Sequence, residues 1–261
     1  MFAERFLTSR FGALNKRPRI GFAQQLQNCN KEKFNQIHSN TTVFALIYGN
    51  GVLIAGDRRT SGGYFEIVSD ETTKVHQITD YSVMAAAGFC NVISDLEDNL
   101  SSTCNGFRDL YGQDLSPDGQ ASFLKRLLEP WWFDSIYSWY WQVGIPILAT
   151  FDLAYDMPRI FAFDESGFYW ESKFFGGTGC GFEAIKGLVN DLWRADMNEG
   201  MAILIAMKAM LQSGVASSGV SDARLYLPTI GVIDKDGFRL ISDKVLKTVR
   251  DTLVKQTENL K

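Results

Sequence analysis

The chain reads as an α/β protein built from two stacked antiparallel sheets with a helix pair outside each face, a four-layer αββα sandwich. Two observations predict this. Hairpin-type strand pairs recur at residues 42–56, 74–87, 145–175 and 227–241, and two blocks of helical spacing separate them. Hairpins divided by helix pairs do not build a doubly wound parallel sheet, which alternates single strands with single helices. At 261 residues the chain has room for one large domain or two small ones, and no Pro- or Ser-rich linker divides it after residue 41. We therefore expect an N-terminal extension over 1–40 and a single domain over 41–261.

Residues 1–40 show neither a period of 2 nor one of 3.6. They carry seven basic residues against two acids, a net +5, whereas the whole chain is −4 and the remainder therefore −9. Such an Arg-rich leader reads as an extension outside the core or as a transit peptide, and both readings stand at this point. Thr42–Tyr48 and Val52–Gly56 alternate as strands around Gly49-Asn50-Gly51, a hairpin signal. Lys74–Ile78 and Ser82–Ala87 form a second hairpin around Thr79-Asp80. Residues 91–112 (Val92, Leu96, Leu100) and 117–141 (Phe123, Leu127, Leu128) then space their apolar side chains as helices do.

Strands are predicted at Ile145–Phe151, Arg159–Asp164 and Phe168–Phe175, followed by helices at Phe182–Arg194 and Glu199–Gln212. Strands at Leu227–Ile233 and Gly237–Ile241 precede a last helix over Asp243–Gln256. The aromatic run Pro130–Trp141 reads first as a helix face packed on the core, with a subunit interface, where Trp and Tyr concentrate, as the alternative.

Composition excludes several functions. Hydrophobic residues make up 46% and charged residues 21%, ordinary for a globular protein. No apolar run has the length of a membrane span, and a net charge of −4 gives no nucleic-acid signature. Cys29, Cys90, Cys104 and Cys180 form no C-x-x-C pair, and no secretory signal precedes them. Reduced thiols in the cytoplasm are the expectation. Two isolated histidines, His38 and His76, do not make a zinc site, so neither metal nor cofactor is expected. The stretch Gly179-x-Gly181-x-x-Ala184 imitates a dinucleotide-binding turn. The strand before it alternates polar and apolar residues, unlike a central parallel strand, and no βαβ unit surrounds it.

Catalysis without a usable histidine needs another base. The α-amino group of an N-terminal Thr, Ser or Cys is one, with an unperturbed pKa of roughly 7.7–8.0. Here Thr41-Thr42 opens the first strand and Asp57-Arg58-Arg59 closes its partner. Lys74 lies in "TTKVHQI", and Gly88 ends "AAAG". In order and spacing these resemble the proteasome β-type subunit family over nearly everything from Thr41 to about residue 242. That family consists of N-terminal-nucleophile hydrolases with the four-layer fold.

The resemblance implies a threonine endopeptidase that degrades unfolded polypeptide inside stacked rings, with homo-oligomers and an ATPase ring or α-type subunits as partners. It makes Thr41 the nucleophile after cleavage between Asn40 and Thr41, and Lys74 the cation beside its oxygen. Asp57 holds Lys74, Arg59 supports the same cluster, and Gly88 donates its N–H to the oxyanion. It further implies a pocket lined by Thr60, Thr72, His76, Ala86 and Cys90, none acidic, and hence a preference for medium to large apolar residues. Three positions depart from the pattern. Cys180 stands in place of a serine, while Ser217 fits the family's second active-site serine. Gly214 stands where the family has an aspartate in a Ser/Gly-rich loop, and Asn40 replaces the usual glycine. A catalytically impaired subunit with an assembly role is the second reading, and a nucleotide-binding protein a distant third.

Overall fold

The computed structural model describes residues 41–61, 67–137 and 142–258. The expected extension and Asn40 lie outside these residues. The first pair of strands is β1 (Val43–Tyr48) and β2 (Gly51–Gly56), in unbroken register from Val43↔Gly56 to Tyr48↔Gly51. A short ribbon, β3 (Thr60–Ser61) and β4 (Ile67–Ser69), leads to β5 (Val75–Thr79) and β6 (Ser82–Gly88). Helices α1 (Cys90–Tyr111) and α2 (Pro117–Tyr137) follow, then β7 (Gly144–Asp152), β8 (Met157–Phe163), β9 (Tyr169–Ser172) and β10 (Phe175–Thr178). Next come α3 (Cys180–Leu192), α4 (Glu199–Ala216), β11 (Thr229–Asp234), β12 (Gly237–Leu240) and α5 (Asp243–Glu258).

Strand alternation builds the layers. On β1 and β2, Val43, Ala45, Val52 and Ile54 face one way and meet Val83, Ala85, Ile147 and Ala149 of the other sheet. Their neighbours Phe44, Leu46, Tyr48, Leu53 and Ala55 face the opposite way, onto Ile185 and Val189 of α3 and the apolar side of α4. On the far sheet, Met84, Leu148, Phe161 and Phe163 pack against Val92, Leu96 and Leu100 of α1 and Leu124 and Leu128 of α2. Two five-stranded antiparallel sheets, ordered β10-β1-β2-β11-β12 and β5-β6-β7-β8-β9, thus share a core, with helices outside both. This is the expected four-layer sandwich, with α5 as a third helix beside α3 and α4.

Two local expectations need correction. The single strand expected over Phe168–Phe175 is two strands on different sheets, β9 beside β8 and β10 beside β1. The crossing succeeds because Gly176 and Gly177 leave room: a Cβ on Gly177 would lie 2.5 Å from the Phe182 ring. The "Ser/Gly-rich loop" begins as helix, since α4 runs through Ser213 and Gly214 to Ala216. The β3–β4 ribbon carried no alternation long enough to read. Of the aromatic run, Trp131 packs against the α1/α2 core and Phe133 is exposed, and residues 138–141 lie outside the described residues.

Candidate active site

The hairpin register delivers the first two groups. Because Val43 pairs with Gly56, the residue after β2 falls beside the residue before β1. Asp57 donates its N–H to the Thr42 carbonyl at 3.0 Å, and Thr42 returns its own N–H to Asp57 Oδ1 at 2.8 Å. Lys74 precedes β5 on the other sheet. Its Nζ donates to Asp57 Oδ1 at 2.8 Å and to Thr41 Oγ1 at 3.0 Å. Thr41, Asp57 and Lys74 are 6%, 1% and 8% exposed. Burial pulls the Lys74 ammonium's pKa below the usual lysine value, and the Asp57 carboxylate opposes that shift. The result is a cation held against a threonine hydroxyl with most water excluded.

Asp57 is fully engaged. Oδ2 accepts the main-chain N–H groups of Arg59 (2.9 Å) and Ser221 (3.3 Å), so four donors meet one buried carboxylate. Arg59 joins the cluster chiefly through its main chain. Only its N–H touches Asp57, while its guanidinium pairs with Asp70 (2.7 and 3.2 Å) and donates to the Ser218 carbonyl (2.7 Å). A planar fork suits a carboxylate with two free oxygens, and those of Asp57 are already taken. Arg58 adds a further tie, its N–H donating to Ser221 Oγ at 3.1 Å.

The opposite wall is a glycine turn. Gly179 precedes α3 at φ +93°, and a Cβ there would sit 2.1 Å from the Thr41 carbonyl oxygen. Gly181 donates its N–H to that same oxygen at 3.2 Å. A Cβ on Gly181 would lie 1.9 Å from Thr42 Oγ1 and 2.3 Å from Ser213 Oγ, two buried hydroxyls hydrogen-bonded to each other. The glycines therefore serve close main-chain packing on Thr41-Thr42, which accounts for the Gly179-x-Gly181 spacing. Between them Cys180 places Sγ 3.2 Å from Ser217 Oγ.

Gly214 faces no cavity. A Cβ there would meet the Ser221 carbonyl oxygen at 2.8 Å and Asp222 Cα at 3.1 Å. The nearby acid, Asp222, is engaged by the Arg224 guanidinium, which holds its carboxyl below the usual range. Gly88 ends β6 at φ +132°, where a Cβ would lie 2.2 Å from the Val143 carbonyl oxygen, so only glycine fits.

Among the residues expected to line a pocket, Thr60 and Thr72 pair through their hydroxyls at 2.8 Å, Ala86 is buried and Cys90 is exposed. His76 Nδ1 lies 2.7 Å from Glu97 Oε2. The view of this set as free of acid is thus incomplete. Glu97 stands on α1, seven residues after Cys90, a spacing that returns to nearly the same helix face. That spacing was the available signal. Ser213, Ser221 and Asp70 gave none, because their partners lie 11 to 171 residues away along the chain. Among the described residues no group of three or more His, Cys, Asp and Glu could hold a metal, and no helix is long and apolar enough to cross a membrane.

Residues 37–222 match the family model described as proteasome subunit. Similar chains include a "Proteasome subunit beta" of Jonesia denitrificans, 31% identical over 83% of this chain and 71% of that one. They also include a "Proteasome subunit beta 2" of Thermomonospora curvata, 27% identical over 84% and 78%. A "Proteasome subunit beta" of Acidothermus cellulolyticus is 27% identical over 84% and 77%.

Proposed function

The chain belongs to the proteasome subunit family, and from that premise we propose that it is a threonine endopeptidase with Thr41 as N-terminal nucleophile. The observation that carries this reading is the Lys74 Nζ, 3.0 Å from Thr41 Oγ1 and 2.8 Å from Asp57 Oδ1 in a nearly closed site. In this reading residues 1–40 are a propeptide, and cleavage after Asn40 frees the Thr41 amine on a single domain over 41–261. The amine takes the hydroxyl proton as Oγ attacks the scissile carbonyl. Lys74 stabilises the developing alkoxide, and the Gly88 N–H donates to the oxyanion. The leaving amine receives the proton, and water then hydrolyses the threonyl ester with the same amine as base. Cys180 and Ser217 form the polar wall facing that amine. Substrates are unfolded polypeptides, and the particle is a cytoplasmic stack of homo-oligomeric rings, served by an ATPase ring or capped by α-type subunits.

A peptide epoxyketone tests the oxygen and the amine together, because it closes a ring with both. Intact mass spectrometry of assembled particles should find Met1–Asn40 lost and the adduct on Thr41. Full-length, unlabelled chains in assembled particles would remove the peptidase reading. A second reading, an impaired subunit with an assembly role, is favoured by Gly214, where packing against Ser221 and Asp222 leaves no room for the aspartate side chain found in the family. It predicts rings without adduct.

A further inference from the structure

Because Thr60 pairs with Ser69, Arg59 and Asp70 fall opposite each other where the β3–β4 ribbon begins. The Asp70 carboxylate accepts two arms of the Arg59 guanidinium, Nε at 2.7 Å and Nη2 at 3.2 Å, with side chains 15% and 12% exposed. The Thr60 and Thr72 hydroxyls (2.8 Å) and the Thr72 N–H on the Arg58 carbonyl (3.1 Å) tie the same two segments together. Exposed ion pairs contribute little. This pair is mostly buried and bidentate, the geometry that holds a guanidinium in one orientation.

That orientation serves the third arm. Arg59 Nη1 donates to the Ser218 carbonyl at 2.7 Å. Ser218 is exposed, yet its neighbours belong to the site. Ser217 Oγ lies 3.2 Å from Cys180 Sγ, and the Ser221 N–H reaches Asp57 Oδ2 at 3.3 Å. The second distance is at the long end for an N–H···O bond, so a small drift of residues 217–221 breaks it. Gly214, packed against the Ser221 carbonyl, has no side chain with which to hold this segment. After such a drift Asp57 Oδ2 keeps only the Arg59 N–H, and the carboxylate that aims Lys74 at Thr41 is freer to turn.

We propose that Asp70 is a positioning residue for the peptidase reaction. By locking the Arg59 guanidinium onto the Ser218 carbonyl, it fixes residues 217–221 and, through them, Asp57 and Ser217. Asp70 acts through Arg59 and not on the substrate. The proposal rests on the peptidase reading above, and it tethers the site to a ribbon that sequence patterning did not show.

The test uses the assembled full-length protein and measures turnover per reactive site, with sites counted by epoxyketone labelling. Asp70→Asn keeps the shape and removes the charge. For a short reporter peptide kcat should fall about tenfold, the scale of a small misplacement of reacting groups, while KM changes less than about twofold because binding is left alone. Asp70→Glu should recover at least about half of wild-type kcat, since it keeps two oxygens for the fork. Arg59→Met should lower kcat at least as far as Asp70→Asn, and the double variant no further than Arg59→Met, because non-additivity marks one residue acting through another. Independently of turnover, hydrogen exchange in the peptide spanning 217–222, read by mass spectrometry, should be faster in Asp70→Asn than in wild type. Fewer labelled sites or a lower Tm with kcat per site unchanged makes the pair merely structural, which overturns the proposal and leaves the peptidase reading standing. Additive losses in the double variant, or unchanged exchange, overturn it as well. A wild-type particle that neither labels nor hydrolyses overturns the peptidase reading; faster exchange in Asp70→Asn then supports the clasp, and unchanged exchange overturns both.

Discussion

The two walls of the site are built in contrasting ways. On the wall formed by strand ends, Thr41, Asp57 and Lys74 hold one another by charge-assisted hydrogen bonds, and every oxygen of Asp57 is engaged. On the wall formed by helix ends, Gly179, Gly181 and Gly214 contribute no side chain, and the fit is main chain against main chain. Neutral side-chain contacts, Cys180 with Ser217 and Thr42 with Ser213, complete it. The difference teaches that substitution carries a different penalty on each side. A charged group removed from the first wall leaves its partner buried and unpaired, typically 3–5 kcal/mol. An atom added to the second has nowhere to go.

The largest effect should come from the charged wall. Lys74→Ala should lower kcat/KM by at least about 100-fold, roughly 2.7 kcal/mol of barrier, and should also block removal of residues 1–40, because one alkoxide serves both reactions. Retention of more than about a tenth of wild-type turnover would show that the ammonium has no such role. Lys74→Arg should fail nearly as badly, since a planar guanidinium cannot replace a compact charge at 3.0 Å.

The glycine wall should respond in stability. Gly181→Ala should cost about 3 kcal/mol, lowering Tm by roughly 6–12 °C, because its methyl overlaps Thr42 Oγ1 and Ser213 Oγ. Differential scanning calorimetry reads this directly, and a shift under 2 °C would mean the Thr42–Ser213 pair yields easily. Gly214→Asp is the instructive case. Sequence comparison with the family invites it as a restoration, but the Ser221 carbonyl at 2.8 Å predicts a loss of about 2 kcal/mol with no gain in turnover. A faster Gly214→Asp enzyme would show that the 217–222 segment moves aside. The smallest effect belongs to Cys180→Ser, which keeps a donor 3.2 Å from Ser217. Turnover should change by less than about threefold, under 0.7 kcal/mol.

Much of the charged wall was legible in sequence because hairpin register is local. Once β1 and β2 pair, Asp57 must fall beside Thr42, and the polar-to-apolar alternation around Lys74 puts it at a strand start. The helix-end wall was not legible. Nothing in "Phe168–Phe175" announces that the chain changes sheets after Ser172, since either half alone has strand character. The extension of α4 to Ala216 went unread because Ser213 and Gly214 are poor helix formers in isolation, and tertiary packing on Thr42 and Ser221 overrides that preference. Glu97 was hidden for a related reason: an exposed-looking acid on a helix acquires meaning only when a strand residue arrives opposite it.

The pairing of β1 with β10 has a consequence for the order of events at the ribosome. Val43 finds its partner Thr178, and the Thr41 carbonyl its partner Gly181, only after well over half of the chain has been synthesised. Until then β1 and β2 can close as a hairpin, but the oxygen of Thr41 has no rear wall and Asp57 lacks the Ser221 contact. Long-range pairing of this kind is slow to form. A nascent chain therefore carries its threonine in an incompletely assembled site through most of translation, until the segment reaching Ser221 has been made.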